Sequence, residues 1–137
     1  MSALYHLELG MTLMLTGLIW TIQVVHYPSF NFIDPLKFRS FNEFHQRRIS
    51  YVVMPLMLLE LGLVSLLTAL SAPGAGVRLC LTLLIWLSTF FLSVPLHQRL
   101  LLGPDPQVIR RLILTNWPRT VLWSMKCLIA FYEFKVY

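Results

Sequence analysis

Four long apolar runs set the limits on this chain, at about residues 5–27, 48–70, 77–97 and 118–136. Each approaches the roughly 20 residues a helix needs to cross a bilayer. The sequence is 57% hydrophobic and only 12% charged over 137 residues, whereas a soluble domain carries about 25% charged residues. The expected fold class is therefore all-α: a four-helix transmembrane bundle forming a single integral membrane domain. The first run is long enough to span, with no basic stretch before it and no small-residue cleavage site after it, so it reads as a span and not as a signal peptide.

The connections fix the topology. Ser71-Ala72-Pro73-Gly74-Ala75-Gly76 is a short, breaker-rich turn between the second and third runs. The other two connections are longer. An even number of spans places both termini and the short turn at one end, here the termini end, and both long connections at the other, the connection end. Lys37, Arg39, Arg47, Arg48, Arg99, Arg110, Arg111 and Arg119 flank the connection end, against Arg78 and Lys135 at the termini end. The positive-inside rule then makes the connection end cytoplasmic, with both termini outside a bacterial-type inner membrane. Tyr5, Tyr132 and Tyr137 fit one aromatic belt, and Tyr27, Tyr51 and Trp117 the other. The net charge of +5 is explained by these flanks, so nucleic acid is not an expected partner. The expected partner is the lipid bilayer; an apolar small molecule, other membrane subunits or a second copy remain open. Cys80 and Cys127 lie within apolar runs and read as packing residues.

The polar residues recur. His26, Asp34-Pro35, His45 and Arg48 are matched, 71 positions on, by His97, Asp105-Pro106, Asn116 and Arg119, suggesting two tandem halves of about 1–71 and 72–137 related by a pseudo-two-fold along the membrane normal. Each Asp-Pro pair suits a helix start, Asp as N-cap and Pro in the first turn, and predicts a short interfacial helix in each long connection. Leu36, Phe38, Phe41 and Phe44 would lie in one, and Val108, Ile109, Leu112 and Ile113 in the other. His26 and His97 then end their spans where His45, Arg48, Asn116 and Arg119 open the next ones, with Gln23 one turn inside. At 1.5 Å per residue these groups share one layer about a turn thick, around a pocket open to the cytoplasm.

Imidazole exchanges protons near neutral pH and ligates metals, and a guanidinium fork receives carboxylate, phosphate or an oxyanion. His97, His26, His45, Asn116, Arg119 and Arg48 are the candidate catalytic residues, with Gln23, Tyr27 and Trp117 as substrate contacts. His26 and His97 leave open a haem or a metal ion held between them. A plainer reading has the histidines in the interface and Arg48 and Arg119 as anchors. Glu60 and Lys126 fall at depths that allow a pair inside the bundle, while Glu8 and His6 sit close enough to the termini end to be interfacial. Pro55 and Pro95 are expected to kink spans two and three and to widen the bundle near the site. No Gly-rich phosphate loop, nucleophile elbow or di-iron carboxylate motif occurs.

Val94-Pro95-Leu96-His97 with Leu100, followed by Asn116-Trp117-Pro118-Arg119-Thr120, resembles the anthrone oxygenase-like family of small four-span membrane proteins. Members often carry Val-Pro-Leu-Asn at the end of span three and Trp-Asn-x-x-Arg-Thr at the start of span four. Pro28 and Pro55 fit the same layout. His97 stands where the family usually has Asn, and the Trp–Asn order is reversed with its spacing to Arg changed by one. The resemblance implies the four-span fold, and an oxygenase-like or oxidoreductase activity on an apolar aromatic or quinone-like substrate. The competing expectation is a non-catalytic accessory subunit, or a lipid- or tetrapyrrole-binding module, of a larger membrane complex.

Overall fold

The computed structural model describes residues 2–136, and they contain helices and turns but no strand. Four helices follow one another: α1 (Ser2–Phe32), α2 (Pro35–Ala69), α3 (Ala75–Leu100) and α4 (Pro106–Val136). The first three are long and apolar enough to cross a membrane. In α4 the apolar run is broken by Arg119, Lys126 and Glu133, and all three are turned inward, at 8%, 0% and 9% exposure. The chain is an integral membrane four-helix bundle whose last helix turns these three charges in among the other helices, while Arg110 and Arg111 near its start are exposed.

Contacts at each end establish the up-and-down order. At the termini end the Tyr5 hydroxyl donates to the Pro73 carbonyl (3.3 Å) and Arg78 pairs with Glu133. Gly74 adopts φ +67°, and the Glu133 carboxylate occupies the place a Cβ would take, so the α2–α3 turn needs glycine for both reasons. At the connection end Phe30, Phe38, Leu100 and Leu112, each 0–1% exposed, pack into one apolar cluster. A second cluster of Leu15, Ile19, Met57, Ile85 and Trp123 fills the middle.

The Asp-Pro pairs cap as expected. Asp34 Oδ1 accepts from Leu36 N at 2.8 Å, and Asp105 Oδ1 accepts from Gln107 N and Val108 N at 2.8 and 3.2 Å. What they start is not a separate interfacial helix. α2 runs unbroken for 35 residues and α4 for 31, because nothing between Leu36 and Tyr51 breaks a helix and Pro118 is absorbed within α4. Phe38, Val108, Ile109 and Leu112 bury against one another and do not lie in the headgroups, whereas Leu36 and Phe44 stay exposed.

Two prolines reshape their helices. Pro28 and Pro95 lack the N–H that would bond four residues back. Just before each, one turn widens: Tyr27 N–H bonds to Ile22 O and Val94 N–H to Thr89 O, spacings of five residues in place of four. Single wide turns of this type recur at functional sites. Pro55, expected to kink span two, leaves α2 continuous.

Two charged residues read as peripheral are internal. Glu8 is 1% exposed and Arg78 0% exposed, and they pair with each other. Lys126 pairs with Glu60 as the depths suggested. In the aromatic belts, Tyr51 and Tyr132 are exposed but Tyr5 and Tyr27 are buried; Tyr137 and the Lys135 side chain lie outside the described residues.

Candidate functional site

The widened turns put polar side chains of α1 and α3 opposite the start of the apolar part of α4. Gln23 and Tyr27 follow from α1, Thr89, Ser93 and His97 from α3, and Asn116, Arg119 and Thr120 from α4. Asn116 is the hub: its Nδ2 donates to Gln23 Oε1 (2.7 Å), and its Oδ1 accepts from Arg119 Nε (3.0 Å) and from the guanidinium's Nη2. Gln23 Nε2 closes the set by donating to the Ile113 carbonyl at 3.2 Å. Asn116 and Thr120 are 0% exposed and Gln23 2%, so these bonds form where water offers no alternative and hold Arg119 in one orientation.

Arg119 completes its bonds with Nη1 to the Thr89 hydroxyl (3.3 Å) and Nη2 to the Tyr27 hydroxyl (3.4 Å). Among the described residues no carboxylate pairs with it. A guanidinium stays charged in proteins, so a positive charge at 8% exposure faces only neutral acceptors. Buried charge without a partner is costly, and the arrangement favours a ligand with an electron-rich oxygen.

Tyr27 links Arg119 to His97, its hydroxyl 3.0 Å from His97 Nε2. A hydroxyl donates one bond and accepts two, so this contact serves either His97 tautomer; in the Nδ1–H tautomer the Tyr27 proton goes to Nε2. Nδ1 is buried with no partner, as is the Ser93 hydroxyl. Both residues line a cavity of about 170 Å³ together with Tyr27, His45, Arg119 and a wall that includes Leu15, Ile22, Met57 and Trp123. That volume is close to what holds one benzene ring, on the order of 150 Å³. Toward the connection end the cavity adjoins the Phe30–Phe38–Leu100–Leu112 cluster, with which it shares Ile22 and Tyr27. Its exposed lining residues, Ser50, Met54 and Val94, form a side opening between α2 and α3.

The three histidines lie in a row. His26 and His45 meet Nε2 to Nε2 at 3.2 Å, and the His45 and His97 ring centroids are 6.0 Å apart. They do not converge on a point; among the described residues no trio of His, Cys, Asp or Glu is placed to hold a metal ion. Haem between His26 and His97 does not fit, since each Nε2 already faces another side chain and the His45 ring packs against both, at 4.0 and 6.0 Å between centroids. His26 and His45 also face a separate outer groove lined by Phe41, Phe44 and Arg48.

Of the residues read from the sequence, His45, His97, Tyr27 and Arg119 line the cavity and Gln23 and Asn116 orient Arg119. His26 stands behind His45. Arg48 is exposed, its guanidinium over the Phe44 ring at 5.4 Å. Trp117 is 42% exposed and edge-on to Trp20 at 5.8 Å, on the outer surface, so it contacts no occupant of the cavity. Thr89, Ser93 and Trp123 were missed. Thr89-x-x-x-Ser93-x-x-x-His97 and Arg119-x-x-x-Trp123 place each set on one helix face, and that spacing was a readable signal. No protein-family model matches the chain, and neither does any curated protein or solved structure.

Proposed function

We propose that the cavity binds an apolar aromatic or quinone-like molecule from the membrane and that the protein acts on it as an oxygenase-like or other oxidoreductase enzyme. The observation that carries this reading is the buried Arg119, without a carboxylate, beside two unpartnered polar atoms, His97 Nδ1 and Ser93 Oγ, in a ring-sized apolar cavity. A ring carbonyl accepts from His97 Nδ1–H and from Ser93, and the Arg119 guanidinium on the same cavity wall attracts its oxygen. As the His97 proton passes to that oxygen, Tyr27 delivers its own to Nε2, and Arg119 stabilises the tyrosinate left behind. The same path run backwards withdraws a proton from a phenol. With an anthrone, one ring of which fills the cavity while the rest reaches through the side opening, the ring passes to its enol as one CH2 proton leaves to the tyrosinate and restores Tyr27. Dioxygen attacks the enol, and over the whole reaction a CH2 group and O2 become a carbonyl and water. The resemblance to anthrone oxygenase-like proteins supports this substrate class.

The test uses protein purified in mild detergent, titrated with anthrone and with a benzoquinone, with dioxygen uptake followed during anthrone addition. Arg119→Gln is expected to weaken binding about ten- to hundredfold, the scale of one hydrogen bond to a charged group. Binding without dioxygen uptake favours a non-catalytic ligand-binding module. Failure of both probes to bind removes the reading.

A further inference from the structure

The size of the cavity and the place of its opening together limit what can occupy it. At about 170 Å³ it holds one ring, so every further atom of a ligand lies outside. The exposed residues of its lining all fall on one side: Ser50 and Met54 of α2 and Val94 of α3. Toward the termini end the lining is buried Leu15, Ile19, Met57 and Trp123, which belong to the central apolar cluster.

The opening lies below the membrane surface. On α2 the border falls near Arg48, and Ser50 and Met54 follow it by about 3 and 9 Å along the axis, at 1.5 Å per residue. The mouth therefore meets acyl chains and not water. Its rim is apolar in effect, because the Ser50 hydroxyl already donates to the Gln46 carbonyl at 2.7 Å. One turn deeper on each wall, Leu58 of α2 and Phe90 of α3 are exposed, so an apolar surface runs from the mouth toward the membrane middle.

The polar groups are at the inner end. Ser93 Oγ and His97 Nδ1, both unpartnered, and the Arg119 guanidinium share the cavity wall. A single quinone or phenol ring brings its oxygen in with it. A fused tricycle divides ring and carbonyl between cavity and mouth, since in anthrone the carbonyl belongs to the middle ring.

We infer that the ligand is a single quinone or phenol ring bearing one long apolar chain. The ring sits beside Ser93, His97 and Arg119, and the chain leaves between Met54 and Val94 to lie along Leu58 and Phe90 in the acyl layer. The inference rests on the ring-binding reading above and names the class of molecule that satisfies it. The chain keeps the ligand in the membrane, at the depth of the opening.

The test uses the full chain in phosphatidylcholine vesicles and a decyl-benzoquinone carrying a diazirine midway along its chain. After illumination, labelled residues are mapped by peptide mass spectrometry, with and without excess unlabelled decyl-benzoquinone. The label removed by the excess is expected within a turn of Leu58 and Phe90. In Arg119→Gln that label is expected to fall about tenfold or more at low probe concentration, as the ring loses a hydrogen bond to a charged group. Competed label on the outward faces of α1 and α4 overturns the inference. So does label that persists near Leu58 and Phe90 in Arg119→Gln, because the chain then lies there without its ring in the cavity. Anthrone displacing the probe at a lower membrane concentration than tailless benzoquinone leaves the ring-binding reading standing and overturns the single-ring assignment. Absence of any competed label, with no displacement by either compound, overturns both.

Discussion

Lys126 and Arg119 sit two turns apart on the same helix, both withdrawn from the surface at 0% and 8% exposure, yet their surroundings differ in kind. Lys126 faces the carboxylates of Glu60 and Glu8 and the Thr82 hydroxyl; Arg119 meets only Asn116, Thr89 and Tyr27. Removing Lys126 leaves buried carboxylate uncompensated, a loss of about 3–5 kcal/mol. Removing Arg119 relieves a charge that has no counter-ion. Thermal melting in detergent should therefore show Lys126→Met far below wild type and Arg119→Leu much closer to it, while Arg119→Leu alone loses ligand binding. The double variant Glu60→Leu/Lys126→Met is expected to recover most of the stability lost in Lys126→Met, because replacing both members of a buried pair by apolar groups is often neutral. A single substitution as damaging in the double variant as alone would show that the pair is not the coupled unit.

Within the helices, the two wide turns give the cavity its room. Ile22 belongs to the first turn and Thr89 and Ser93 to the second, and all three line the space. Pro95 sets the second turn by withholding a hydrogen bond, so Pro95→Ala is expected to restore ordinary helical pitch, raise the melting temperature and weaken ligand binding, a trade of function for stability. Unchanged binding alongside a raised melting temperature would mean the wide turn is not what shapes the site. The same elements show what was legible in the sequence. The span number and the Asp34 and Asp105 caps could be read because apolar length and capping chemistry are local. The supposed interfacial helices could not be told from the spans: the change in polarity near Arg48 marks where the membrane ends, and the helix crosses it without a break. Likewise, position along a run gave the depths of Glu8 and Arg78 but not which way they faced. Arg48 and Arg119 hold matching places in the repeat, but one is exposed and the other buried; that difference arises from neighbours on other helices, which spacing within one helix does not reveal.

Across the whole molecule, α2 at 35 residues is about 52 Å long at 1.5 Å per residue, some 20 Å more than a hydrocarbon core of about 30 Å. The excess lies at the connection end, where Lys37, Arg39, Arg47, Arg48, Arg99, Arg110 and Arg111 are all exposed. At the termini end Arg78 is buried and paired with acids, so it does not present a free positive charge to that surface. The asymmetry seen by the membrane is therefore steeper than a count of basic residues suggests, and it favours a cytoplasmic connection end. Single cysteines in a chain with Cys80 and Cys127 replaced by alanine report on this directly. Leu102→Cys, on the exposed connection between α3 and α4, is expected to resist a membrane-impermeant maleimide in intact cells and to react once the membrane is opened. Ser71→Cys, in the exposed turn between α2 and α3, is expected to react without opening. The reverse pattern would place the long connections outside.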